Sequence, residues 1–213
     1  MVLLPRRVVF GASIDRVAAP QLRDKIPYVV LDGLDNALHG GDYYQTDGRG
    51  LITPPTHGGL NIAEALDDEI ARGILRVGSA CRDWVVVDFS LGTEDLVAAD
   101  PVIDSIIDTC VAGGFRLAWV LPHIYYGAKT PEQQAWNETL TTMLIGKIAL
   151  NSALLDARLI DWDYLVTAWT DATPSLTDEA RAVGQPLLYD GRHPTPARGC
   201  ERYACAIQEA TGL

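Results

Sequence analysis

Asp190 and His193, in the run Leu188-Tyr189-Asp190-Gly191-Arg192-His193-Pro194-Thr195-Pro196, are spaced for proton transfer. An acid three residues before a histidine, with Pro and a helix start following, can hold both side chains on one turn. The carboxylate then reaches the imidazole Nδ1 and leaves Nε2 free to take a proton from a hydroxyl, which is the base half of a nucleophilic triad. The other half stands at the amino terminus. Ser13, in Val8-Val9-Phe10-Gly11-Ala12-Ser13-Ile14-Asp15, falls where a first strand should end.

These residues need a scaffold, and the chain is long enough to supply one. Its 213 residues suit a single domain, 1–213, with a full hydrophobic core. Hydrophobic residues make up 48% and charged residues 21%, too apolar for disorder. The net charge of −11 argues against a nucleic-acid or anionic-membrane partner, because no basic stripe is present to neutralise phosphates. Residues 1–10 hold two arginines but no apolar core of a signal peptide, and no stretch approaches the length of a membrane span. The expectation is a cytoplasmic protein. Cys81, Cys110, Cys200 and Cys205 lack metal-type spacing and read as reduced, partly buried thiols.

Short apolar runs alternate with helical patterns, the signature of a parallel α/β sheet. Five strands are expected: Arg7 to Phe10, Ile26 to Leu31, Asp83 to Phe89, Phe115 to Leu121, and a fifth at either Ala157 to Ile160 or Tyr164 to Ala168. Leu60 to Arg72 is an amphipathic helix with Ile62, Ala63, Leu66 and Ile70 on its apolar side. Asp100-Pro101 should open a second helix that closes at Gly113-Gly114, with Ile103, Ile106, Ile107 and Val111 facing inward. Thr130-Pro131, with Gln133 in capping-box position, opens another that runs to about Leu155, and Thr195-Pro196 opens the last, ending near Gly212. Between Asp32 and Gly59 a Gly-, Asp- and His-rich stretch has no strong periodicity, and loops of that length are often functional.

Three blocks now stand in order: Gly-x-Ser after the first strand, Gly92-Thr93-Glu94-Asp95 after the third, and Asp-x-x-His-Pro-Thr before the last helix. This arrangement resembles the SGNH/GDSL hydrolases, a family of esterases, lipases and acyl-group transferases, and the match spans nearly the whole chain. The tail Asp190-Gly191-Arg192-His193-Pro194-Thr195-Pro196-Ala197-Arg198-Gly199, with Tyr203-Ala204, is especially close, and Leu159-Ile160-Asp161-Trp162 resembles the segment leading into it. The resemblance implies a flavodoxin-like, three-layer α/β/α sandwich with a five-stranded, mostly parallel sheet. It makes Ser13 the nucleophile, His193 the general base and Asp190 its orienter. It implies an oxyanion hole from the Ser13 N–H, a glycine N–H and the residue at position 94, acting on charge that develops only in the transition state. Gly33 and Gly59 both qualify as that glycine. Gly59, before Asn61 and the amphipathic helix, is preferred.

The chain departs from the family pattern twice. Ala12 replaces the Asp of Gly-Asp-Ser, and that side chain is not the nucleophile. Glu94 stands where the family has Asn, and an ionised carboxylate repels an oxyanion that an amide NH₂ would bind. Three accounts are open: a hole of two backbone donors alone, a protonated Glu94 lifted by several units from an ordinary value of about 4.3, or an enzyme that has lost turnover.

The remaining residues sort by the same logic. His123, with Tyr125 and Tyr126 beyond the fourth strand, lies where such sheets bind ligands and is a candidate for the substrate pocket, alongside a plain packing role. Asp32, Asp35, His39 and Asp42 match no metal-ligand spacing and read as a solvated loop with His57, so no metal is expected. Asp161 and Asp163 alternate and would point apart in a strand, and Trp162 and Trp169 read as core or pocket wall. The expected activity is hydrolysis of a small acyl ester, with an O-acetylated carbohydrate as an example by fold-level analogy, with no cofactor. A binding module lacking turnover, and an unrelated doubly wound protein in which Ser13 caps a helix at a phosphate site, are the competing readings.

Overall fold

The strands are short runs of large apolar residues, and their periodicity shows why they are buried on both faces. In the computed structural model, residues 4–11, 18, 20–22, 24–26, 29–32, 43–45, 50–52, 62–88, 96–121, 131–161 and 198–212 are described. β1 (Arg7–Phe10), β5 (Trp84–Asp88) and β6 (Arg116–Val120) occupy the middle of the sheet. Their odd and even residues divide between two cores. Val8, Phe10, Val85, Val87, Leu117 and Trp119 enter one, and Val9, Trp84, Val86, Ala118 and Val120 enter the other. Two-sided burial removes any reason for polar alternation, so these strands read as continuous hydrophobic runs.

Among the described residues the sheet has seven strands, in the order β4 (Gly50–Ile52), β3 (Tyr43–Gln45), β2 (Val29–Asp32), β1, β5, β6 and β7 (Ala157–Ile160). Parallel pairings join β2, β1, β5, β6 and β7, in a register that aligns Phe10 with Asp32 and Val87, Asp88 with Val120, and Val120 with Ile160. The chain leaves β1 toward β2 and returns to β5 on the other side, which makes β1/β5 the topological switch point of the sheet.

One core packs under α1 (Ile62–Ala71), α2 (Leu96–Gly113) and α3 (Pro131–Leu150) through Ile62, Leu66, Ile103, Ile107, Leu140 and Leu144. The other packs under helical residues within 18–25 and α4 (Arg198–Ala210) through Ala18, Leu22, Cys200, Tyr203 and Ile207. The result is a three-layer α/β/α sandwich.

Several expectations need correction. The sheet extends beyond five strands, because β3 (Tyr43–Gln45) and β4 (Gly50–Ile52) add an antiparallel pair beside β2 within the stretch read as aperiodic. Three-residue strands are too short to show a period, although Asp47-Gly48 between them is a turn signal. Ile26 belongs to a helix end and not to a strand: its N–H donates to the Leu22 carbonyl at 2.9 Å, and Pro27 follows. α2 starts at Leu96, so Pro101 lies inside it and not at its first position. α3 stops at Leu150 and not Leu155, since exposed Leu150 and Leu154 find no core to extend it and Asn151 Nδ2 donates to the Lys147 carbonyl at 2.9 Å. The apolar side of α1 is Ile62, Ala65 and Leu66 with Glu69, while Ala63 and Ile70 are half-buried at its flanks. The fifth parallel strand is Ala157–Ile160; the alternative at 164–168 lies outside the described residues.

Helices that run back along a parallel sheet all finish at its amino end, where each leaves carbonyls without intrahelical donors. Backbone N–H groups of the turns that follow take several of them, Ile74 N–H on the Glu69 carbonyl and Phe115 N–H on the Cys110 carbonyl at 2.9 Å each, and arginines bind the carbonyls just past the helix ends. Arg6 Nη1 donates to the Gly73 and Ile74 carbonyls past α1 at 2.9 and 2.7 Å, Arg82 Nε to the Gly114 carbonyl past α2 at 3.1 Å, and Arg7 Nη2 to the Thr211 carbonyl past α4 at 3.3 Å. Their positive charge also opposes the negative ends of the helix dipoles. Arg82 adopts φ 47°, the left-handed region, and Arg116 holds its carbonyl through Nε and Nη2 at 3.1 and 2.9 Å. Burial pushes the Arg116 and Arg7 guanidinium pKa values down from their ordinary range.

Asp83 is the acceptor at the centre of this band. Fully buried, it takes the Arg6 N–H at 2.8 Å, the Arg76 N–H at 3.0 Å and Arg76 Nε at 2.9 Å, with a further contact to Arg76 Nη2. Removing the carboxylate strands a partly buried guanidinium and two amides. Asp83→Ala should therefore cost about 3–5 kcal/mol and lower the melting temperature by roughly 10 °C. Calorimetry showing a fall under about 2 °C would contradict this account of the amino end.

Candidate active site at the carboxyl end of the sheet

The arginine caps fix the direction of three helices. α1, α2 and α4 end at the amino end of the sheet, so their first turns lie toward the carboxyl end. The strands finish there too: β1 at Phe10 and buried Gly11, β2 at Asp32, β5 at Asp88, β6 at Val120 and Leu121. In a doubly wound sheet this is the ligand-binding side, with the switch point at its centre.

All the sequence-predicted site residues fall outside the described residues: Ser13, Gly33, Gly59, Glu94, His123, Tyr125, Asp190 and His193. What the structure describes is where their segments join it. Ser13 is two residues beyond Gly11, Gly33 one beyond Asp32, Gly59 three before α1, Glu94 six beyond Asp88 and two before α2, His123 two beyond Leu121, and His193 five before α4. Every one of these junctions belongs to a carboxyl end of a strand or a first turn of a helix. The run from 32 to 59, taken as one loop, is interrupted by β3 and β4. Asp161 is exposed at the end of β7, while Trp162, Asp163 and Trp169 lie outside the described residues.

Sequence reading assigned no role to a buried polar contact among the described residues at this end. Asp88, the last residue of β5, is buried and accepts a 2.8 Å hydrogen bond from the Tyr203 hydroxyl, which is buried in α4. The two are 115 residues apart in sequence. The Phe10–Val87 register makes Asp88 the next position in line with Gly11. A signal was present: Trp84-Val85-Val86-Val87-Asp88 ends an unbroken apolar run on a carboxylate. Tyr203 closes the tail that resembles the SGNH/GDSL hydrolases.

Two other chemistries are weaker at the described residues. Burial pushes the Cys200 thiol up to about 12 from an ordinary 9.0, and Cys110 is raised for the same reason, so neither supplies a thiolate near neutrality. An open pocket of about 450 Å³ between Arg82 and residues Ser152 to Arg158 lies at the opposite, amino end. Its guanidiniums are engaged with backbone carbonyls and with Asp156.

Comparison with solved structures agrees with this geometry. A member of the lipolytic G-D-S-L family from Veillonella parvula superposes with a TM-score of 0.56 at 13% identity, covering 98% of this chain and 99% of that one. A catalytic mutant of an acetylxylan esterase from Geobacillus stearothermophilus gives 0.60 at 10% identity, covering 100% and 97%. Catalytic mutants of that esterase replace a serine near its amino terminus, and an aspartate and a histidine three positions apart. No family model and no curated protein matches the sequence. The chain has the fold of the SGNH/GDSL hydrolases.

The raised thiols give a check on how α2 and α4 pack against the sheet. A proton held more tightly in the folded state stabilises it below the ordinary pKa, and that contribution is lost as pH rises from 9 toward 12. Cys200 and Cys110 should resist iodoacetamide at pH 8 in the native protein and react once it is unfolded. Mass-spectrometric mapping that finds Cys200 alkylated as fast in the native as in the denatured chain would refute the burial of α4.

Proposed function

On the fold shared with a lipolytic G-D-S-L protein and an acetylxylan esterase, we propose that this chain is a serine hydrolase of small acyl esters. The observation that carries the reading is convergence. The segments bearing Ser13, Glu94 and Asp190–His193 join the described structure at the carboxyl end of one sheet, two of them flanking the β1/β5 switch point. Two residues of chain span at most about 7 Å, so Ser13 stays close to the end of β1. The serine, aspartate and histidine altered in the acetylxylan esterase mutants have the same order and the same three-residue step as Ser13, Asp190 and His193.

In this mechanism Ser13 Oγ attacks the ester carbonyl carbon while His193 Nε2 takes its proton, and Asp190 holds Nδ1–H so that the imidazole keeps the productive tautomer. The oxyanion is bound by the backbone N–H groups of Ser13 and Gly59, with Glu94 a third donor only in its protonated form. Collapse expels the alcohol, which receives its proton from His193. Water, or an acceptor hydroxyl in a transferase, then attacks the acyl-enzyme by the same proton path. His123 and Tyr125, beyond β6, line the acyl or alcohol side. The acetylxylan esterase points to an acetyl group on a carbohydrate as the substrate class.

Glu94 favours one alternative, a binding module that holds an ester without turning it over. The two readings separate by covalent chemistry. A fluorophosphonate probe should label the protein, and Ser13→Ala should abolish labelling and lower kcat on p-nitrophenyl acetate by at least about 10³-fold. Absence of both labelling and turnover in the wild type would leave the binding module.

The role of Glu94 has its own readout. A carboxyl must be protonated to donate to the oxyanion, so a protonated Glu94 makes activity fall as pH rises through its pKa. Glu94→Asn, whose amide donates at every pH, should keep its rate over that range. Superimposable pH–rate profiles would show that the hole works through its backbone donors alone.

A further inference from the structure

An apolar core holds a helix against a sheet without fixing its rotation tightly, because hydrophobic contact is non-directional. α4 meets the sheet through such a core, Cys200, Tyr203, Ala204 and Ile207 against Val9, Val86 and Val120. Among the described residues of that core is a directional contact, the 2.8 Å hydrogen bond from the Tyr203 hydroxyl to Asp88 Oδ2. Burying a carboxylate there costs desolvation that an apolar residue of similar size would avoid. Stability alone does not explain its presence.

Its location offers an explanation. Tyr203 is the sixth residue of α4, about 8 Å along the axis from the helix start, and that start follows the segment holding Asp190 and His193. Asp88 ends β5, aligns with the position of Gly11 beside it, and precedes the segment holding Glu94. The bond therefore joins the helix that receives the histidine segment to the strand end beside the serine segment. The other end of α4 is held more loosely, by Arg7 Nη2 on the Thr211 carbonyl at 3.3 Å.

Resting on the esterase reading above, we infer that Asp88 and Tyr203 are positioning residues, which set the axial rotation of α4 and through it the approach of His193 to Ser13. The role inferred for them is exerted through α4 and not on the reacting atoms. The hydroxyl–carboxylate bond locks one of several rotations that the apolar contacts would tolerate, and proton transfer depends steeply on such geometry.

The test uses the full chain and three variants. Tyr203→Phe keeps the ring and its packing and removes only the donor. Asp88→Ala removes the acceptor. Asp88→Asn keeps an acceptor oxygen in the same place. Steady-state kinetics on p-nitrophenyl acetate should show kcat reduced ten- to hundredfold in Tyr203→Phe and Asp88→Ala with KM within twofold, and Asp88→Asn restored to within threefold of wild type. The ¹⁵N imidazole shifts of His193 should move in the first two variants and return in the third. Folded variants with unchanged kcat and unchanged His193 shifts would overturn the inference and leave a purely structural bond. A wild type that neither turns over nor labels would dispose of the esterase reading instead. In that case the His193 shifts decide alone: displaced in Tyr203→Phe they uphold the positioning role, and unmoved they refute it.

Discussion

Covering a parallel sheet on both faces dictates most of this molecule. Helices that return along such a sheet finish at one end of it, and their last carbonyls and negative dipole ends collect there. In a chain of net charge −11, arginines are drawn to that end. Arg6, Arg7 and Arg82 donate to the carbonyls past α1, α4 and α2, Arg116 braces Arg82, and Arg76 joins Arg6 on the buried Asp83. The arginine-rich end is thereby explained by backbone accounting, without a nucleic acid or another polyanion.

The same constraint leaves the opposite end to function. Helix starts and strand ends meet there, and the chain crosses between β1 and β5. Structural demand and chemical demand are separated along the strand direction. The Asp88–Tyr203 bond is the exception, a buried polar contact on the chemical side of a hydrophobic core. Its presence beside the switch point ties the rigidity of the scaffold to the segments that emerge from it.

Much of the architecture was legible in the sequence because two-sided burial leaves plain marks. The Trp84-Val85-Val86-Val87 run and the Ile103, Ile106, Ile107 face could hardly be read otherwise, and both are where they were expected. The misses have physical causes. Ile26 looks like a strand residue by type, yet a helix end places it in the same core. Pro101 resembles a helix start, but α2 accommodates it as the sixth residue, near enough to the start for its missing N–H to cost one bond. β3 and β4 are too short for a period to develop. Asp83 and Asp88 bracket the same apolar strand, and composition cannot tell the structural anchor from the site-side one; only their partners do. The SGNH/GDSL resemblance rested on order and spacing of motifs, and what the solved structures share with this chain at 10–13% identity is the fold.

The central claim is geometric, that the segments joined to the carboxyl end of the sheet assemble a triad. A crystal structure of the protein inhibited by a phosphonate ester tests it most directly. The expected result is phosphorus bonded to Ser13 Oγ, His193 Nε2 within about 3.2 Å of that oxygen, and Asp190 on Nδ1. A phosphonate on another residue, or His193 beyond hydrogen-bond reach of Ser13, would contradict the account.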